Sequence, residues 1–143
     1  PAWRIALDAF VILAVYDFAY YFMHRGFHHP RVMRFVHGVH HRVRHPSAME
    51  SLYLHPAELL AGLGLLIASA FVVGRVHPYA FAAAFFVYST LNILIHSGMD
   101  FPTPLLAPIN FLTRKHQVHH ATNFRRNYAS LTPLPDLVFR TLG

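Results

Sequence analysis

Three groups of histidine hold the chemistry this chain could perform: His24 and His28, then His37, His40 and His41, then His116, His119 and His120. Neutral imidazole is the commonest metal ligand, and steps of three and four residues stack side chains on one face of a helix. The second and third groups repeat one pattern, a histidine followed after two residues by an adjacent pair. A trio of this kind can cap one metal ion or straddle two. One copy alone would suit a basic helix facing lipid headgroups, but two copies beside a His-x-x-x-His pair favour a metal site, and these eight imidazoles could surround two ions. His96 closes an apolar stretch and is the candidate ninth ligand, with Asn92 and Asp100 on its face if the helix runs on. Gly98 predicts that it stops.

The donors are nitrogen with little oxygen. The chain has no cysteine, which excludes disulfides, iron-sulfur clusters and thiolate-bound haem from this stretch. Such a set suits iron, zinc, copper or nickel. Asp17, Tyr20, Tyr21, His24 and His28 follow one another at helical steps, so a polar stripe leads into the first group. An acid inside an apolar helix is expensive and normally has a partner. Asp17 reads equally as an acceptor for the second ring nitrogen of a ligand histidine or as the partner of Arg25 or of a helix end. His55 precedes Pro56 and Glu58 at a helix start, and reads as structural or as a support for a ligand. His29, His45 and His77 are set aside.

The elements that must position these residues are apolar and long. Hydrophobic residues make up 55% of the chain and aromatics 15%, concentrated in blocks at about residues 5–23, 57–73 and 79–96. Each block is near the roughly 17–25 residues a spanning helix needs. Arg25, Arg31, Arg34, Arg42 and Arg44 follow the first block, and Arg114, Lys115, Arg125, Arg126 and Arg140 follow the third, whereas the link between the second and third holds only Arg75. The positive-inside rule then makes both long polar segments cytoplasmic, and every histidine group with them. The net charge of +6 is explained by orientation and anionic headgroups, and no nucleic-acid motif accompanies it. The expected fold is an all-α integral membrane protein: a bundle of three to four transmembrane helices with a cytoplasmic helical cap holding a histidine-rich di-metal site. The chain opens on Pro1 with a span almost at once, so residues 1–143 read as one domain that lacks an upstream segment.

The order Asp17-x-x-x-Tyr21-x-x-His24-Arg25-x-x-His28, Arg34-x-x-His37-x-x-His40-His41, His55-Pro56-x-Glu58, His96 and His116-x-x-His119-His120, followed by Asn127-Tyr128 and Pro135-Asp136-x-x-Phe139-x-Thr141, resembles the fatty acid hydroxylase and sterol desaturase superfamily. The resemblance covers nearly the whole chain. It implies a membrane di-iron oxygenase that uses dioxygen and two electrons to hydroxylate or desaturate a lipid such as a sterol, a fatty acyl chain or a sphingoid base. It implies metal ligands at His24, His28, His37, His40, His41, His96, His116, His119 and His120, with two iron ions that zinc could replace in purified protein. Asp17, His55, Asn92, Asp100 and Asn127 are candidates for supporting roles or for a further ligand. Some branches of the superfamily have a histidine where Asp100 stands, so the site has one imidazole fewer, or Asp100 or water supplies an oxygen. The partners implied are a membrane lipid, dioxygen and a separate electron donor of cytochrome b5, ferredoxin or flavin-reductase type. The alternative from the residues alone is a divalent-metal transporter or a non-catalytic metal-binding membrane protein, with ligands inside the spans and on both sides.

Overall fold

The computed structural model describes residues 1–143, all helix, turn and loop without a strand. Helix α1 spans Ala2–Phe27, followed by a short α2 at Pro30–Val32, a π-turn at Met33–His37 and α3 at Gly38–His40. Helices α4 at Pro56–Val73 and α5 at Pro78–His96 form a hairpin, α6 covers Ala107–Ala121, and the short α7 covers Leu134–Val138. Helices α1, α4 and α5 are long and apolar enough to cross a membrane.

Both helices of the hairpin start on a His-Pro pair. His55 and His77 hold extended backbone, and the Nδ1 of each accepts from the N–H two residues on, while proline takes the first helical position, where no donor is needed. Gly74 ends α4 with φ 98° and Gly98 follows the end of α5 with φ 67°, conformations that resist a β-carbon. α5 therefore stops at His96, and the face that would have continued to Asp100 is broken.

α1 packs against both α4 and α5. The core between them joins Ile12, Tyr16 and Leu66 to the small residues Ala80 and Ala84, which are fully buried. Large apolar side chains face outward instead: Phe71 is 79% exposed, Phe10 68% and Phe86 69%. Small residues inside with large ones outside is the packing of helices whose solvent is lipid. The C-terminal end of α1, the N-terminal end of α4 and the C-terminal end of α5 meet at one end of the bundle, where α6 and the loops close over them.

Candidate metal centre

The last turn of α1 contributes His24, with His28 capping it; the π-turn contributes His37; α3 contributes His40, with His41 next; α5 ends on His96; and α6 carries His116, His119 and His120. All nine gather into two groups, His24, His28, His37, His41 and His119 in one and His40, His96, His116 and His120 in the other, with the ligand nitrogens of each group within 4.8 Å of one another. Each trio straddles both groups. His37 and His41 enter the group of five while His40 turns to the group of four; His116 and His120 enter the group of four while His119 crosses to the five. The groups abut where the His41 and His120 rings stack at 4.4 Å between centroids.

Their tautomers follow from what the other ring nitrogen meets. Nδ1 of His24 lies 2.6 Å from the Tyr128 carbonyl, that of His119 2.6 Å from the Arg126 carbonyl, and that of His37 2.9 Å from the Glu58 carboxylate. In the second group Nδ1 faces the carbonyls of Tyr53 for His40, Asn92 for His96 and Val43 for His120. These oxygens only accept, so each Nδ1 holds the proton and each Nε2 is a bare lone pair. Yet Nε2 of His24 stands 3.0 Å from that of His37 and 3.2 Å from that of His119, and Nε2 of His96 stands 3.1 Å from that of His40. Lone pairs facing one another cannot hydrogen-bond, and a cation between them removes the conflict. Metal–nitrogen bonds of about 2.0–2.1 Å at right angles put neighbouring nitrogens about 3 Å apart. The residues thus fit a metal at both places.

Burial holds the imidazoles neutral. It lowers His28 to about 3 and His37 to about 4, and it lowers His40, His41, His116, His119 and His120 as well. Neutral imidazole is the form that binds metal, so these groups need shed no proton near neutral pH.

The supports of this cluster were largely invisible in the sequence. Glu58, readable only as a first-turn acid, accepts from His37. Asp136 accepts from the backbone N–H groups of Tyr128 and Ala129 and pairs with buried Lys115 at 2.5 Å, while Lys115 also donates to the Ala129 carbonyl. Burial lowers the Lys115 pKa against the pull of Asp136. Asn127, at φ 63°, bonds through its side chain to Lys115 and Gly143, not to a histidine. Its backbone stands between the two carbonyls, Arg126 and Tyr128, that orient His119 and His24.

Three candidate supports lie elsewhere. Asp17 meets neither a histidine nor Arg25; it accepts from the N–H groups of Leu131 and Thr132 and from the Thr132 hydroxyl, tying the C-terminal segment to α1. His55 caps α4. Asp100 is exposed and pairs with Arg114, because the turn at Gly98 carries it away from the cluster, so it supplies no oxygen there. Asn92 reaches His96 through its backbone carbonyl.

A cavity of about 270 Å³ runs between α4 and α5 and ends on His40 and His96, both of the group of four. Phe85 and Tyr88 line it together with Tyr20, Glu58, Leu63 and Asn92. Tyr21 is packed against Phe139, and Phe18 lines a separate surface hollow.

A family model described as fatty acid hydroxylase matches residues 9–141. Methylsterol monooxygenase 1 of Gallus gallus is 37% identical over 145 residues, which cover 99% of this chain and 48% of the relative. The protein of that name from Rattus norvegicus is 34% identical over 148 residues, with the same coverage. Very-long-chain aldehyde decarbonylase GL1-11 of Oryza sativa subsp. indica is 30% identical over 153 residues, covering 99% of this chain and 54% of the relative. The chain spans about half the length of the curated relatives it matches. No solved structure matches it significantly.

Proposed function

We propose, from the premise that this chain belongs to the fatty acid hydroxylase family, that it forms the catalytic part of an integral-membrane oxidoreductase inserting oxygen from O2 into a C–H bond of a membrane lipid. One oxygen atom enters the product and the other leaves as water, with two electrons and two protons from a separate donor. The observation that carries this reading is the nine-histidine cluster, one group of which closes the end of a cavity between apolar helices. Bound iron would supply the dioxygen and one-electron chemistry that amino-acid side chains lack. Iron is preferred to zinc because the reaction needs redox change. The ligands proposed are His24, His28, His37, His41 and His119 for one ion and His40, His96, His116 and His120 for the other.

The chain's own residues do the rest. The carbonyls of Tyr128, Arg126, Tyr53, Asn92 and Val43 and the Glu58 carboxylate hold the imidazoles in the metal-binding tautomer. Leu63 and Phe85 keep the cavity dry and hold an apolar chain or ring system. The relatives' names favour a methylsterol as the lipid. Charge asymmetry supports a cytoplasmic histidine end, whose exposed arginines would offer a docking face for the donor. The gathering of all nine histidines at one end of the bundle supports an oxygenase over a metal carrier, which needs ligands across the membrane.

Metal analysis of the purified protein with oxygen-dependent product detection tests the proposal. The expected result is two iron ions per chain and oxidised lipid, with His40→Ala and His119→Ala each losing about one ion and both losing oxidation. Unchanged metal content and oxidation in both variants would overturn it.

A further inference from the structure

Glu58 is the only ionisable residue in α4, and only 9% of it is exposed. Its Oε1 is committed to Nδ1 of His37 at 2.9 Å. Its Oε2 is buried and meets no donor. A carboxylate oxygen withdrawn from water without a donor is costly, so the arrangement calls for a donor from outside the chain. Glu58 lines the cavity that ends on His40 and His96.

The cavity is graded along its length. Because α4 begins and α5 ends at the histidine end, Glu58 in the first turn of α4 and Asn92 in the last turns of α5 bring the one carboxylate of the lining and an amide to that end, while farther back along α5 the lining holds only the uncharged hydroxyls of Tyr88 and Ser89, the latter bonded to the Phe85 carbonyl. Phe85 stands two turns back, about 10 Å along α5, and Leu63 more than a turn beyond Glu58. The occupant that matches this gradient has an apolar body and one polar group beside the metal centre.

We propose that Glu58 recognises the substrate, its Oε2 accepting a hydrogen bond from a hydroxyl that the lipid bears next to the carbon to be oxidised. This rests on the oxygenase reading above and narrows its substrate class. An alicyclic or acyl lipid hydroxylated beside the reacting carbon satisfies the buried oxygen, whereas a hydrocarbon segment remote from any polar group leaves it stranded. One carboxylate then touches both the substrate and a histidine of the group of five.

The test uses the metal-loaded full chain in lipid nanodiscs with three probes: a methylsterol whose methyl-bearing carbon adjoins the ring hydroxyl, the corresponding ketone and the deoxy analogue. Wild type is expected to favour the hydroxyl probe in kcat/KM by roughly 10- to 100-fold over both others, the range for a hydrogen bond to a charged group. Binding of the probes without reductant should rank them the same way. Glu58→Gln keeps an oxygen for His37 but puts an amide N–H2 in place of the acceptor. Its hydroxyl-over-ketone preference is expected to fall at least tenfold with metal content unchanged. Equal use and equal binding of the three probes by wild type would overturn the proposal, as would an unaltered preference in metal-replete Glu58→Gln. If that variant loses metal, the two chains are compared metal-free in the binding assay, where an unaltered hydroxyl-over-ketone ranking in Glu58→Gln overturns the proposal. If no probe is oxidised yet the binding preference and its loss in Glu58→Gln stand, the oxygenase reading fails and the recognition role survives.

Discussion

At the scale of single residues, the centre depends on groups that never face a metal. Lys115 and Asp136 form a buried ion pair beneath the loop that supplies the Tyr128 carbonyl. Lys115→Met leaves Asp136 without its cation, and removing one partner of a buried pair costs about 3–5 kcal/mol. Its unfolding midpoint should fall by many degrees, and a melting curve of metal-loaded protein checks this. Asn127 separates two roles in one position. Its positive φ suits asparagine and glycine, while its side chain holds Lys115 and Gly143. Asn127→Gly should keep both ions and lose some stability, whereas Asn127→Val should weaken metal binding by roughly 10- to 100-fold because the flanking carbonyls turn away. Titration with a competing chelator compares them.

At the scale of elements, the wide turn at Met33–His37 lets one short segment serve both histidine groups. Gly38 bonds through its N–H to the Met33 carbonyl, and a β-carbon added at Gly38 would run into that same carbonyl. π-turns recur at functional sites because the extra residue re-aims the side chains beyond it. Gly38→Ala must therefore open the turn and displace His37 relative to His40. We expect loss of iron from both groups with the three apolar helices intact, measured as metal content beside helicity by circular dichroism. Retention of both ions would show that the turn has slack. The start of α4 at His55-Pro56 and the stop of α5 before Gly98 were legible in the sequence, since both act through local backbone preferences; His77-Pro78 and Gly74 act in the same way at the hairpin turn. The π-turn was not, because nothing in its composition separates it from an ordinary helical turn.

At the scale of the whole molecule, three apolar helices with small residues inside and phenylalanines outside carry a polar cluster at one end. Sidedness is open to direct measurement because the chain has no cysteine. With both exposed, Arg75→Cys at the hairpin turn and Arg125→Cys beyond α6 should react with a membrane-impermeant maleimide from opposite sides, Arg75→Cys from outside intact cells. Labelling of both from the same side would overturn the proposed orientation. Metal held at the proposed sites would couple to folding, since lone pairs pressed together at about 3 Å repel unless a cation lies between them. Chelation should lower the unfolding midpoint and refilling with iron should restore it.

Residue type and local spacing were enough to mark out the histidines, the three apolar blocks and their punctuation, because each depends on neighbours within a turn or two. The division of nine imidazoles into five and four depended on the fold. The spacing i, i+3, i+4 is compatible with one ion or two, and only the approach of α6 to the segment around His37–His41 made each trio straddle both groups. The same holds for the supports. Asp17 and Asp100 stood near histidines in sequence but are held by Thr132 and Arg114, while Glu58 and the carbonyls of Tyr128 and Arg126 reach the cluster from 21, 104 and 7 residues away. A backbone carbonyl has no signature in residue identity, so its role exists only once the chain is folded.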